Sequence, residues 1–289
     1  SEVVDFTAQF DPDFAKKLQE LGHISDAENI TSADMEKIAA ITSLDVAGSY
    51  DNPGTLTSLR GIEYFESLTF LKCDYNSLEL LDVSENTALT FLKCDSNQLT
   101  TLDVSANTAL TYLYCHSNQL TTLDVSANTA LTTLSCSSNS LTKLDVRQNT
   151  ELMNLSCSSN SLTSLDVSRN TALTGLWCES NQLTELNVSA NTALTQLHCG
   201  SNQLTELDVR QNTALTGLWC YDNQLTELDI SRNTALTWLS CENNPGDGVS
   251  TFPVKAWFDN DTVPAGLNVH SSSWTYGGKA ITIDFRKAE

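Results

Sequence analysis

A 21-residue repeat fills most of the 289-residue chain and limits its possible folds more than any other feature. A clean copy runs from Leu110 to Ala130 and reads LTYLYCHSNQLTTLDVSANTA. One cysteine per copy marks the period without a slip, at Cys73, Cys94, Cys115, Cys136, Cys157, Cys178, Cys199, Cys220 and Cys241. An asparagine follows three residues after each cysteine, from Asn76 to Asn244. A fixed period of this length predicts a stack of similar rungs rather than one central core.

The spacing within the repeat matches LxxLxLxxNxL, the pattern of leucine-rich repeats, with cysteine in place of one leucine. We expect a right-handed solenoid with a parallel β-sheet on its concave face and extended or short-strand segments on its convex side. In the clean copy, Leu113 and Cys115 point inward from the first half-repeat, and Leu123 and Val125 from the second. The asparagine amides are predicted to hydrogen-bond backbone groups that tight bends leave free.

Three segments are expected along the chain: a helical N-terminal cap over 1–48, a repeat array over 49–244 and a β-rich C-terminal cap over 245–289. Caps are needed because the open ends of a solenoid expose apolar side chains and unpaired strand edges. Gly277-Gly278 between WTY and KAITIDF predicts a β-hairpin, whose Ile281, Ile283 and Phe285 would cover the last rung.

The N-terminal cap carries start and stop signals for two helices. Asp11-Pro12 and Gly22 bound the first, with Phe14, Leu18 and Leu21 on its apolar face. Thr31 with Asp34 forms a capping box for the second. A half-repeat follows at 41–48, where Leu44, Asp45 and Val46 match the LDV of the later second half-repeats.

Charge and composition exclude several partners. A formal net charge of -21 opposes binding to nucleic acid and to anionic membrane surfaces. No apolar run approaches the roughly 20 residues that a transmembrane helix needs. No signal peptide precedes Ser1, and we expect a mature, secreted or surface-displayed chain, monomeric and without a cofactor.

The nine cysteines are predicted to be packing residues. An odd number prevents complete pairing, and a straight row of thiols does not converge on a metal ion. Cys115-His116 and His198-Cys199 suggest a catalytic dyad, but adjacent residues of a strand point to opposite faces. We find no nucleophile–base pair in the sequence and expect no enzymatic activity.

Function is expected where the rungs differ, on the outward positions of the first half-repeats. Trp177, His198 and Trp219 share one column in three successive rungs. Gly175, Gly200 and Gly217 are expected to keep neighbouring positions low, so that the rings are not hidden. The predicted partner-binding residues are Tyr112, Tyr114, His116, Trp177, His198, Trp219, Tyr221 and Trp238. The alternative interpretation is an aromatic ladder that only stiffens the sheet.

The second half-repeats carry a column of aspartates, among them Asp82, Asp103, Asp124, Asp145, Asp166, Asp208 and Asp229. Because like charges on neighbouring rungs repel, we expect hydrogen bonds from serine, threonine and backbone N–H groups to offset the repulsion. A second possibility is Ca²⁺ held by Asp208, Asp229, Glu206 and Glu227.

The repeat resembles the cysteine-ladder type found in the internalin J-like branch of bacterial surface leucine-rich repeat proteins. The matching positions are Leu89, Leu92, Cys94, Asn97, Leu99, Leu102, Val104 and Asn107, with their equivalents in other rungs. The segment SLRGIEYFESLTFL at 58–71 is also similar to internalins, whereas no wall-anchoring signal follows the repeats.

This resemblance implies an extracellular adhesion or recognition protein. Its partner is expected to be a protein. A glycan bound by the same aromatic column and a ligand-free spacer are the alternatives.

Overall fold

The computed structural model describes residues 4–289. A boundary between Leu141 and Thr142 divides the chain into two compact units. Both units are lengths of leucine-rich repeat solenoid, in which each 21-residue rung contributes one short parallel strand and one extended second half.

The first unit begins with helices and continues into repeats. Its elements are a 3-10 turn (Thr7–Gln9), α1 (Pro12–Glu20), α2 (Ser32–Ala39), β1 (Ser43–Asp45), a second 3-10 turn (Ile62–Tyr64), β2 (Phe70–Lys72), β3 (Phe91–Lys93), β4 (Tyr112–Tyr114) and β5 (Thr133–Ser135). The five strands pair in sequence order, and all are parallel.

The predicted helix signals are confirmed. The Asp11 side chain accepts hydrogen bonds from the N–H groups of Asp13 and Phe14, and Thr31 and Asp34 form a reciprocal capping box. Phe14 and Leu18 are fully buried, but the prediction that Leu21 joins them is wrong, since Leu21 is 41% exposed. It lies at the C-cap of α1, past the last turn that faces the core, and Gly22 follows with a left-handed φ of 78°.

The register of β1 differs from the prediction. Leu44 pairs with Leu71 of β2, so residues 43–45 extend the ladder of the first half-repeats instead of matching the LDV of the second. The inward Leu-x-Val of this segment takes the place of the Leu-x-Cys that later rungs use. A valine and a cysteine are interchangeable there because both are small apolar side chains in a dry core.

The second unit contains β6 (Asn154–Ser156), β7 (Gly175–Trp177), β8 (Gln196–His198), β9 (Gly217–Trp219), β10 (Leu228–Asp229), β11 (Trp238–Ser240), β12 (Thr251–Ala256), β13 (Asn268–Val269), β14 (Ser273–Tyr276) and β15 (Lys279–Lys287). Its main sheet is parallel and has the order β6-β7-β8-β9-β11-β13. A second sheet has the order β10-β12-β15-β14.

The C-terminal segment covers both ladders of the last rung. Strand β13 pairs with β11 in the main sheet, while β12 pairs with β10 on the side of the second half-repeats. The predicted hairpin is confirmed: β14 and β15 are antiparallel, and Gly277 and Gly278 take left-handed φ values of 55° and 78°. The unpaired edges of the last rung are therefore used by the chain itself.

The core consists of columns of identical residues. The inward leucines and valines of the rungs are buried, and all nine cysteines are free and have no exposed surface. Two asparagine ladders follow the chain at its bends, as predicted. In a representative rung, the Asn181 amide donates to the carbonyls of Cys157 and Cys178, and its oxygen accepts from the N–H of Leu162.

A left-handed residue precedes each asparagine of the first ladder. These residues have φ between 50° and 59° although none is glycine: Tyr75, Ser96, Ser117, Ser138, Ser159, Ser180, Ser201, Asp222 and Asn243. The conformation turns the chain sharply after every strand, and the asparagine hydrogen bonds hold the turn. Each outward residue at the end of a strand is therefore fixed in place.

Candidate binding site

The outward face of the main sheet in the second unit carries an aromatic strip formed by Trp177, His198, Trp219, Tyr221 and Trp238. Register places Trp177 beside His198 and His198 beside Trp219 on β7, β8 and β9. Trp238 stands one column over, paired with Gly217 on β9. All five predicted residues of this unit thus lie together on one surface.

The rings of the strip form a continuous stack. Ring centroids of Trp177 and His198 are 5.6 Å apart with planes at 27°, and those of His198 and Trp219 are 3.8 Å apart at 10°. Trp219 then lies 6.3 Å from Trp238 with planes at 24°. Offset stacking of this kind stabilises aromatic pairs by about 0.5–1.5 kcal/mol beyond area burial.

Glycines lie directly beneath these rings. A Cβ on Gly175 would meet the indole of Trp177, and a Cβ on Gly217 would meet the indole of Trp219. The Tyr221 ring lies in the same way over Gly200 of the preceding rung. Each of these rings thus leans back over a glycine, and the prediction that the glycines keep the rings from being hidden stays a prediction.

The aromatic side chains are half-buried: an edge of each indole leans over its glycine, and His198 and Trp219 cover one face of each other in the stack. Burial lowers the pKa of His198 to about 4, so this imidazole is neutral at physiological pH. It therefore acts as one more uncharged ring within the stack.

Two polar atoms near the strip have no hydrogen-bond partner within residues 4–289. One is Nε1 of Trp238, and the other is Oε2 of Glu179, which stands two residues after Trp177. Burial raises the pKa of Glu179. An unsatisfied carboxylate oxygen is energetically costly, and functional sites are where such costs are tolerated.

A second aromatic cluster occupies the strand face of the first unit. Phe70 and Phe91 stack at 4.4 Å with planes at 13°, and Phe91 contacts both Tyr112 (5.9 Å) and Tyr114 (5.7 Å). Tyr112 is 42% exposed. Tyr112 and Tyr114 lie together as predicted, while Phe70 and Phe91 were not among the predicted site residues although they share the Tyr112 column.

His116 belongs to a polar network instead of the second aromatic cluster. Its Nε2 lies 3.2 Å from Oδ2 of Asp95, and its Nδ1 lies 3.1 Å from Oγ of Ser135. Lys93 Nζ donates to Asp95 at 2.6 Å and to Asp74 at 3.0 Å. Burial alone would raise the pKa of Asp95, but hydrogen bonds from His116 and Lys93 lower it overall.

Sequence reasoning missed this network because its members come from different rungs. The signal was present in the outward columns, where Lys93, Asp95 and Asp74 stand close in register. Lys93 is thus shared between the two buried aspartates Asp74 and Asp95, and His116 adds a further contact to Asp95. The Oδ1 atom of Asp74 has no hydrogen-bond partner within the described residues.

The aspartate column of the second half-repeats is satisfied by its own turns, as predicted. Asp82 and Asp166 each accept from the N–H and hydroxyl of the serine two residues on. Where arginine replaces that serine, an unpredicted ion pair forms: Arg147 Nη2 lies 2.8 Å from Asp145 Oδ2. These contacts lower the pKa of Asp145 to about 2, chiefly through the Arg147 side chain.

Of the four residues proposed to bind calcium, two are held by such turn contacts and two are exposed to solvent. Asp208 is bound by Arg210 and Asp229 by Ser231, while Glu206 and Glu227 are exposed. In the part of the chain that the structure describes, three or more His, Cys, Asp or Glu side chains nowhere converge as metal ligands would.

The cysteine thiols take no part in surface chemistry. Desolvation by burial raises the pKa of the ladder thiols Cys73, Cys94, Cys115, Cys136, Cys178, Cys199, Cys220 and Cys241. The pKa of Cys136 rises to about 12. The thiolate, which is the reactive form, is therefore not populated at neutral pH. His116 and His198 point to the opposite face from Cys115 and Cys199, as the strand period requires.

Helices α1 and α2 have nine and eight residues. Among residues 4–289, no helix has the length and apolarity to cross a bilayer.

Comparison with known proteins finds relatives through structure. Searches of protein-family profiles and of curated protein sequences gave no match. The functional domain of InlJ from Listeria monocytogenes, which includes a cysteine ladder, superposes with a TM-score of 0.81 at 37% identity over 98% of this chain and 62% of that one. The present chain therefore spans less than two thirds of the InlJ domain.

Two further structures support the fold. A leucine-rich repeat protein of Leptospira interrogans has a TM-score of 0.67 at 25% identity, with 73% of this chain and 57% of that chain covered. Internalin C2 of Listeria monocytogenes has a TM-score of 0.64 at 21% identity, with 78% of this chain and 98% of that chain covered.

Proposed function

Since the chain is an internalin J-like leucine-rich repeat protein of the cysteine-ladder type, we propose that it is an extracellular or cell-surface recognition protein of a bacterium. Its partner is a macromolecule, and a protein fits best. Contact is made through the strand-bearing face, with the aromatic strip of the second unit as the principal anchor.

The placement of the rings carries this proposal. Trp177, Trp219 and Tyr221 each lie over a glycine. The missing side chain of the glycine provides the space that the ring occupies. The exposed parts of these rings form an apolar surface, whereas the outward positions of the second half-repeats are mostly serine, threonine, aspartate and glutamate. Tryptophan and tyrosine on such a surface are typical anchors of protein interfaces.

A protein partner is favoured over a glycan by the polar groups next to the strip. Sugar rings stack on indoles but also need free side chains that bond their hydroxyls. Beside β8 the amide of Gln196 already donates to Thr216 Oγ1, and the glycine positions offer no side chain. Within residues 4–289, Glu179 Oε2 and Trp238 Nε1 are free, but these two atoms are few for the several hydroxyls of a sugar. A spacer would gain nothing from an open aromatic surface of this kind.

The surface location is supported by the thiols and the charge. Nine cysteines without exposed sulfur tolerate an oxidising exterior, because neither disulfide exchange nor oxidation can reach them. A net charge of -21 favours solubility and a monomeric state. We further propose that residues 1–48 and 245–289 cap the array formed by 49–244.

The test is a partner selection on the wild-type protein followed by affinity measurements on variants. Trp177→Ala/Trp219→Ala should weaken binding by at least about tenfold, since buried tryptophans dominate interface energies. Tyr50→Ala is the matched control, because Tyr50 is an 83% exposed aromatic residue in a loop away from the strands. It should bind like the wild type.

Undiminished affinity of the folded double variant would move the binding surface elsewhere. Loss of binding after enzymatic deglycosylation of the partner would instead assign the strip to glycan recognition. Circular dichroism of each variant separates both results from misfolding.

A further inference from the structure

Charge on the strand face differs between the two units. The outward positions of β2 and β3 include Lys72 and Lys93, and Lys93 forms ion pairs with both Asp74 and Asp95. From β6 to β11 the corresponding positions contain glutamates but no lysine or arginine. His198 adds no positive charge at physiological pH, because burial lowers its pKa to about 4.

The two glutamates of this face are in different situations. Glu242 accepts hydrogen bonds from Ser240 Oγ at 2.9 Å on both carboxylate oxygens, and His270 Nε2 lies 3.7 Å away. The Glu179 carboxylate is stabilised by its own backbone N–H, but its Oε2 is buried without a hydrogen bond within the described residues. No lysine or arginine side chain stands among the outward positions of this face to pair with it.

Glu179 stands between aromatic rings. Trp177 precedes it by two residues on the same face of the strand, and Gly200 lies beside it on the next rung with the Tyr221 ring above. Burial raises the pKa of Tyr221, and the charges of Glu179, Asp222 and Glu242 raise it further. The charged groups closest to the rings are thus acidic.

Resting on the protein-recognition function proposed above, we propose that the aromatic strip takes an arginine side chain of the partner, with the rings of Trp177, Trp219 and Tyr221 as its stacking surface and Glu179 as its counter-charge.

Arginine matches this surface better than other side chains. Its guanidinium is planar, keeps its charge at every physiological pH, and stacks face to face on indole rings. Because His198 and Trp219 already stack on each other at 3.8 Å, the guanidinium would lie on the ring surfaces that this stack leaves free. Glu179 is half-buried and has already lost part of its hydration, so a cation beside it offsets part of that cost. An acidic chain with a net charge of -21 also attracts basic segments over long range.

The experiment titrates two short peptides into the full chain. The probes are Ac-Gly-Arg-Gly-NH2 and Ac-Gly-Gln-Gly-NH2, which differ in the side chain under test. Indole N–H resonances are followed by NMR, and those of Trp177 and Trp219 should shift with the arginine peptide only. The indole of Trp257, outside the strip, is the internal reference.

Variants test the counter-charge. Glu179→Gln should weaken arginine-peptide binding by about fivefold or more, as expected for loss of a charge beside a cation–π contact. Glu179→Asp, which keeps the charge, should retain most of the affinity. Glu206→Gln removes the same charge from an exposed position of the second half-repeats and should leave the affinity unchanged.

Equal shifts with both peptides, no shift with the arginine peptide, or an unchanged affinity of Glu179→Gln would each overturn the arginine proposal. If the peptide fails while Trp177→Ala/Trp219→Ala still abolishes partner binding, recognition through the strip stands without arginine. If the peptide binds while that double variant keeps its partner, the arginine site stands and the proposed function falls.

Discussion

Trp177 and Cys178 are neighbours in sequence and lie in opposite environments. The indole rests on the outer surface of the sheet, and the thiol has no exposed area at all. The two-residue period of a strand explains this sorting, because successive side chains point to opposite faces. The same alternation in every rung keeps the nine thiols in the core.

Cys178→Ser should destabilise the protein more than Cys178→Ala. Alanine loses packing contacts in a dry core, whereas serine also buries a hydroxyl without a designed partner, at a total cost of about 1–3 kcal/mol. Urea unfolding of the two variants measures the difference. Equal or reversed stabilities would show that the position is wet or adaptable.

Glu179→Gln should change the pH dependence of stability. Burial raises the pKa of Glu179 above its ordinary value of 4.5, so the folded state holds this proton more tightly than the unfolded chain does. Stability of the wild type therefore falls as pH rises from about 4.5 through the native pKa. The stability of Glu179→Gln does not fall in this way, because the glutamine side chain does not titrate.

Thermal unfolding should show Glu179→Gln to be the more stable protein at pH 7, with the gap closing towards pH 4.5. Exposed Glu206→Gln is the control and should show no such gap. A gap that widens on acidification would mean that Glu179 has a partner in its charged form.

At the scale of elements, the glycines of β7 and β9 decide how the strip is built. Each strand reads Gly-Leu-Trp, and the tryptophan folds back onto its own glycine. This brings the Trp219 indole over the column that Trp238 occupies on the next strand, which is why these two rings stack.

Gly217→Ala should lift the Trp219 indole off the sheet. The added Cβ would clash with the indole of Trp219, which must then rotate away from residue 217. We expect a red shift of tryptophan fluorescence and a stability loss of no more than about 1 kcal/mol, because the ring is free to move outward. Gly266→Ala, at a position with open space, should leave the spectrum unchanged. An unshifted spectrum for Gly217→Ala would contradict the folded-down ring.

The inward positions of the rungs could be predicted from the sequence, but the positions of the tryptophan rings could not. The burial of Leu113, Cys115 and Asn118 follows from the period alone, because every rung repeats it. The positions of the Trp177 and Trp219 rings do not, since they depend on the empty space above a glycine two residues earlier. The Gly-Leu-Trp motif was nevertheless visible as a signal.

Side-chain contacts between neighbouring rungs also could not be predicted from the sequence. His116 was grouped with Tyr112 and Tyr114 by its column, but a carboxylate one rung earlier and a hydroxyl one rung later determine its position. The register of Leu44 was misassigned because Leu-x-Val fits both half-repeats. Sequence similarity within the repeat cannot choose between two equivalent ladders.

At the scale of the whole molecule, negative charge dominates: 36 acidic residues face 15 basic ones. Turn hydrogen bonds satisfy the aspartates locally, but they do not remove the repulsion between like charges. The acidic surface also sets the class of partner, since a basic protein segment is attracted and nucleic acid is repelled.

Added salt should therefore stabilise the protein. Raising NaCl to about 0.5 M shortens the Debye length to roughly 4 Å and screens this self-repulsion, so the melting temperature should rise. Differential scanning calorimetry in low and high salt measures the change. A falling melting temperature would mean that ion pairs such as Arg210–Asp208 outweigh the repulsion.

Covalent labelling of the native protein tests most directly whether thiols and indoles lie on opposite sides of the same strands. N-ethylmaleimide reports on the nine cysteines and hydroxyl-radical oxidation on the aromatic residues, both read by mass spectrometry. We predict oxidation at Trp177, Trp219 and Tyr112 with all nine thiols unmodified until the protein is unfolded. Rapid alkylation of the native thiols, or protection of both indoles in the absence of a partner, would contradict the proposed recognition surface.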